Sequence, residues 1–166
     1  IDLSPEFIEM VSAKYPEVHA YVCDIEGGLG QEYDNSYDLV LSPLTIHYAE
    51  DLRKLFAEVY RVLKDGGVFA FSTHHPNLDF ADSVSGNYFE KEKLTQMWNT
   101  LGDETEVTFY RRPLTETFNA LLSAGFVIDG FSEGKPSKKI RQLSESHYQR
   151  LTTRPQFIFV RARRLN

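Results

Sequence analysis

His47 and Tyr48 follow the apolar run Tyr37-Asp38-Leu39-Val40-Leu41, and His74 and His75 follow Val68-Phe69-Ala70-Phe71. Both runs read as strands, so both groups fall just past a strand's carboxyl end. In open α/β sheets that is where ligands bind. Imidazole is the side chain most often used to take a proton near neutral pH, which makes His47 and His74 the candidates for catalysis. Each also has a plainer reading, as a pocket wall or a structural residue. His74 and His75 are adjacent, would point apart on an extended strand and have no cysteine nearby, so no metal site is expected. A second group lies in the polar, aromatic stretch 74–113, with Tyr88, Phe89, Trp98 and Tyr110-Arg111-Arg112. Aromatic rings there could enclose a planar or apolar molecule, and Arg111 or Arg112 could pair with a carboxylate. The alternative is a satellite core under a long loop. Tyr48, His75, Tyr88, Trp98, Tyr110 and Arg111 are the candidates for substrate binding.

The elements that must position these residues follow a βαβ pattern. Ser4 and Pro5 have the chemistry of a helix start, and Phe7, Ile8, Val11 and Tyr15 then recur at helical spacing until Pro16. Val18 to Val22 reads as a short strand, followed by Cys23-Asp24-Ile25-Glu26 and a flexible loop with Gly27, Gly28 and Gly30. Tyr37 to Leu41 is a further strand. Asp51 opens the clearest helix, with Leu52, Leu55, Phe56, Val59, Tyr60 and Leu63 on one face and Arg53, Lys54, Glu58 and Arg61 on the wet side. Gly66-Gly67 is expected to end it, and Val68 to Phe71 is an unbroken apolar strand, covered on both faces. Such a crossover winds right-handed.

Within 74–113, Lys91 to Trp98 reads as a short helix and Glu106 to Tyr110 as a strand; a connection this long is expected to be an insertion or lid over the acceptor pocket. Thr115 is expected to cap a helix with Phe118, Leu121 and Leu122 inward and Gly125 as its stop. Phe126 to Phe131 and Gln156 to Ala162 read as strands, with a short helix near Ser144 to Leu151.

The chain has 166 residues, one domain's worth, and a net charge of −6, which argues against a basic nucleic-acid-binding surface despite local clusters at Lys135, Lys138, Lys139 and Arg141 and at Arg161, Arg163 and Arg164. One cysteine, Cys23, permits no intrachain disulfide, and no apolar run approaches the ~18 residues of a membrane helix. A cytoplasmic protein with a small-molecule partner, and neither nucleic acid nor membrane, is the expectation. Its oligomeric state is open.

Asp2-Leu3-Ser4-Pro5, Asp24-Ile25, Tyr37-Asp38-Leu39-Val40, Ala124-Gly125-Phe126 and, above all, Glu58-Val59-Tyr60-Arg61-Val62-Leu63-Lys64-Asp65-Gly66-Gly67 give the chain its family character. On these residues it resembles the class I S-adenosylmethionine-dependent methyltransferases. The likeness is greatest to their small-molecule branch, typified by quinone-biosynthesis C-methyltransferases. The resemblance implies an α/β fold: a Rossmann-like three-layer sandwich with a mostly parallel sheet and an antiparallel last strand, in the order 3-2-1-4-5-7-6. It implies S-adenosyl-L-methionine as cofactor and methyl transfer to O, N or C of a small molecule. It implies that Asp2 accepts from the ribose hydroxyls while Leu3 packs on adenine. Asp24 and the Ile25 N–H would read the adenine edge, and Ser42-Pro43 would face the methionine end. Taken singly, Asp2 and Asp24 read more simply as turn and cap residues; together, at successive strand ends in this family wording, they read as cofactor-binding. The family's first strand and Gly-rich turn have no counterpart here, so the chain is expected to be an N-terminally incomplete piece of a longer protein. A non-catalytic methyltransferase-like scaffold is the alternative.

Overall fold

The structure is a computed structural model that describes residues 1–99, 102 and 104–165. Helix α1, Pro5–Lys14, begins as its sequence dictates: Ser4 Oγ accepts from the Phe7 N–H, and Pro5 sits where no amide hydrogen is needed. The expected strand 18–22 is reduced to one parallel bridge between Asp2 and Val22, with the Cys23 N–H donating to the Asp2 carbonyl. Strand β1, Tyr37–Pro43, leads through a single turn, Ile46–Tyr48, to helix α2, Leu52–Val62. Asp51 caps α2 by accepting from the Arg53 and Lys54 N–H groups. Leu52, Leu55, Phe56, Val59 and Val62 are buried, and Phe56 meets Phe69 edge-on at 5.5 Å. Burying each such side chain favours folding by about 1.5–3 kcal/mol, which fixes this face to the sheet.

Two sequence expectations change here. The helix ends at Val62 rather than at Gly66-Gly67, because Leu63 is already extended and opens strand β2, Leu63–His74. The two glycines instead shape an irregularity in that strand: Gly66 has φ +77°, and a Cβ on Gly67 would stand 2.7 Å from the Lys64 carbonyl oxygen. Glu58 and Arg61 are not wet. Glu58 Oε2 accepts from the Leu29 N–H at 2.9 Å, while Arg61 donates to the carbonyls of Leu29 and Glu32 and pairs with Asp34 at 2.5 Å. Together they clamp the loop after Asp24 onto α2.

Past β2, helix α3 spans Pro76–Asp79. Strands β3, Glu92–Asn99, and β4, Glu104–Arg111, then pair antiparallel as a separate two-stranded sheet. The helix expected over Lys91 to Trp98 is therefore a strand. Leu94 is buried and Gln96 and Trp98 half-buried, with exposed residues between them, a period of two rather than 3.6. Helix α4, Leu114–Ser123, starts behind Pro113 with no side-chain cap, so Thr115 lies inside it. Leu121 is inward as expected, but Leu122 faces solvent. Strand β5 is Phe126–Ser132, helices α5 and α6 are Lys138–Leu143 and Glu145–Thr153, and β6 is Phe157–Arg164.

The main sheet has the order β1-β2-β6-β5. β1 and β2 are parallel, and β6 runs antiparallel to both β2 and β5, so β1, β2 and β5 share one direction and only the last strand opposes them. That is the expected direction and order for the described half of the sheet. α2 and α4 cover one face. On the other, Leu39, Leu41 and Phe159 are exposed, and β1 is an edge strand among the described residues.

Candidate functional site

Asp2 and Asp24 stand at the ends of neighbouring extended segments because of the Asp2–Val22 bridge. Asp2 Oδ1 accepts from the Ser4 N–H and Asp24 Oδ1 from the Glu26 N–H, both at 2.9 Å. Among the described residues nothing holds either Oδ2. Each carboxylate thus does the turn-and-cap work expected of Asp and keeps an acceptor oxygen for a ligand. Leu3 is exposed, and Ile25 packs its side chain on the core.

At the end of β1 the backbone is under strain. Leu44 has φ +50°, the left-handed region that a branched side chain rarely enters. Its N–H is held by the carbonyl and hydroxyl oxygens of Ser72 at 3.0 and 3.1 Å. Ser42 and Pro43 are registered against Phe71 and Ser72, and the Thr45 hydroxyl donates to the Pro43 carbonyl at 3.0 Å.

That sharp exit throws His47 back under the sheet, where it meets the end of β2. His47 is 4% exposed, and its ring stacks on that of His74 at 4.0 Å and 18°. His47 Nδ1 lies 3.3 Å from Thr73 Oγ1, and Nε2 is buried without a partner among the described residues. Burial first, then the neighbouring His74 and Arg112, push the His47 imidazole down to about 3, so it is neutral at physiological pH. On α3, Asp79 turns back toward the strand, with Oδ1 3.2 Å from His74 Nδ1 in a contact that is close but not linear. Trp98 and Phe109 from the hairpin and Phe157 from β6 complete the walls around His74, at 5.7, 5.3 and 6.1 Å between ring centres. Tyr48 adjoins His47 at 4.2 Å.

The other substrate-side candidates are employed elsewhere. His75 accepts from the Asn77 N–H and faces Glu133, so the two histidines do point apart. The Tyr88 hydroxyl is 3.4 Å from the Leu114 N–H, and the Tyr110 hydroxyl donates to Glu50 at 2.9 Å. Arg111, expected to hold a substrate carboxylate, is fully buried and already satisfied: it donates to the carbonyls of Asn87, Tyr88 and Glu90 and to the Glu92 carboxylate. Arg112 donates to the Ala49 carbonyl at 2.6 Å and lies 3.3 Å from Glu116, tying the His47 turn to α4.

Thr73, Asp79 and Phe109 belong to the site without having been singled out, and Arg112, expected to pair with a carboxylate, instead joins the His47 turn to α4. For Asp79 a signal exists. His75-Pro76 is a helix start, and one helical turn brings the residue five past His74 back to it.

Residues 1–71 match a family described as a methyltransferase domain. A malonyl-[acyl-carrier protein] O-methyltransferase from Ilyobacter polytropus is 30% identical over 112 residues, 65% of this chain and 41% of the relative. Human thiol S-methyltransferase TMT1A is 27% identical over 131 residues, 76% of this chain and 50% of that one. The chain thus spans half or less of these curated relatives. A crystal structure from Listeria monocytogenes, assigned to the S-adenosylmethionine dependent methyltransferases, superposes with a TM-score of 0.80 at 27% identity, covering 99% of this chain and 78% of that one. An S-adenosylmethionine dependent methyltransferase from Mesorhizobium loti gives 0.72 at 25% identity, covering 98% and 78%.

Proposed function

We propose, on the premise that this chain belongs to the class I S-adenosylmethionine-dependent methyltransferases by its fold and its first 71 residues, that it forms the cofactor and acceptor site of an enzyme that methylates a small molecule. The observation that carries the reading is the pair Asp2 and Asp24, at the ends of adjacent extended segments, each with one carboxylate oxygen left over among the described residues. When bound, S-adenosylmethionine supplies a methyl group on an electrophilic sulfonium. Its donor set fits these residues: Asp2 accepts from the ribose diol, Asp24 from the adenine amino group, and the Ile25 N–H serves a ring nitrogen. Leu3 covers the adenine. Ser42 and Pro43 border the methionine end, beside the strained Leu44.

The acceptor is expected to meet His74 beside Trp98, at the rim of a cavity of about 20 Å³ lined by His47, His74 and Asp79, which must widen by movement of the hairpin to admit it. His74 is the base and His47 its neutral, buried neighbour. Tyr48 lies next to them. The hairpin β3–β4 acts as the lid over this pocket. Tyr88, Tyr110, His75 and Arg111 support the lid and its surroundings rather than grip the acceptor.

Calorimetry of the intact protein with S-adenosylhomocysteine tests the reading. Binding is expected, and Asp24→Ala or Asp2→Ala should weaken it about 10- to 100-fold, roughly 1.4–2.8 kcal/mol. No binding by the wild-type protein would replace the enzyme with a scaffold of the same fold.

A further inference from the structure

Asp79 is buried, yet among the described residues no backbone amide and no hydroxyl donates to it. The one group that reaches it is the His74 imidazole, whose Nδ1 lies 3.2 Å away, in proximity but outside hydrogen-bond geometry. A buried carboxylate without a donor is costly, so its position calls for an N–H from that ring. The opposite ring nitrogen, Nε2, has no partner among the described residues. The ring plane is fixed by His47 on one side and by the edges of Phe109 and Trp98 around it. Thr73, next to His74 in the strand, is bound to His47 and so does not compete for the ring.

We propose that Asp79 is the positioning residue of the acceptor site: it holds the proton on His74 Nδ1 and so presents Nε2 as a lone-pair base. This rests on the methyltransferase reading above and deepens it to a class of acceptor, one that gives up an O–H, N–H or acidic C–H proton as it is methylated. In the step, the bond from the methyl carbon to the acceptor atom forms and the bond from that carbon to sulfur breaks. The sulfur keeps the electron pair as a neutral thioether. The acceptor's proton passes to His74 Nε2, and the resulting imidazolium lies against the Asp79 carboxylate. Arg111 is tied to protein oxygens and is not free to draw a carboxylate into this pocket.

Imidazole 1H–15N correlation spectra of the intact protein test the assignment without knowledge of the acceptor, because the chain has only five histidines. His74 is expected as the Nδ1–H tautomer at neutral pH. Asp79→Asn should shift it to the Nε2–H form or a mixture, and Asp79→Glu should restore it. S-adenosylhomocysteine affinity is expected to change less than about twofold in both variants. Finding His74 as the Nε2–H tautomer in the wild-type protein overturns the proposal, as does a tautomer that ignores Asp79→Asn. Loss of S-adenosylhomocysteine binding by the wild-type protein overturns the methyltransferase reading instead, while the tautomer result still decides the role of Asp79.

Discussion

His47 shows how one side chain can couple the site to stability. Its imidazole is held at about 3 in the fold, against 6.5 for an ordinary histidine. Below pH 6.5 the unfolded chain therefore takes up a proton that the native state refuses. The stabilisation is complete above 6.5 and drains away as pH falls toward 3. Near pH 5 the loss should reach about 2 kcal/mol. Thermal melts at stepped pH are expected to show this slope in the wild-type protein and to lose most of it in His47→Gln; equal slopes in both would refute the assignment. His47 and His74 were legible from their places after two strands. Asp79 and Thr73 were not singled out, because their roles come from the direction in which a turn folds back, and spacing along the chain says little about that. Arg111 was legible as a residue of consequence but not for its role. A guanidinium reads the same in sequence whether it meets a ligand or three carbonyls of its own loop.

Among the elements, the hairpin β3–β4 and its approach loop hang on one ion pair. Glu92 accepts from the Ser85 N–H, the Ser83 hydroxyl and Arg111, which hold its carboxyl down to about 2 from an ordinary 4.5. The sign is that of a depressed carboxylate: its contribution is present above 4.5 and lost as pH falls through about 2. Trp98 is the chain's single tryptophan and sits on β3, so its fluorescence reports this element. Its emission should change in acid between roughly 4.5 and 2, distinct from the His47 window, and Glu92→Gln should show the altered emission already at neutral pH. An identical titration in the variant would mean the pair does not hold the hairpin. The elements read best from sequence were those with a strong period and a cap, α1 and α2. The hairpin strand β3 was misread because Leu94, Gln96 and Trp98 make too short a pattern to tell alternation from a helical face.

For the molecule as a whole, the order β1-β2-β6-β5 leaves β1 at an edge, with Leu41 67% exposed on the same side as Leu39 and Phe159. Unpaired strand edges carrying apolar side chains invite pairing with another chain. A protein of these 166 residues should therefore associate as its concentration rises, and Leu41→Lys should shift its sedimentation toward monomer; a wild-type protein that stays monomeric throughout would refute this. The sheet order was legible through family resemblance. The exposure of this face was not, since Leu39 and Leu41 read as ordinary strand interior. The hairpin has the opposite standing. It forms its own sheet, shares no ladder with the main one, and is fastened through Arg111 and Arg112 at its base. Descent with modification can therefore rewrite residues 93–110 while the carboxylates at Asp2 and Asp24 and the His74–Asp79 pair stay as they are. On the proposed function, the acceptor walls and the cofactor carboxylates would then vary independently.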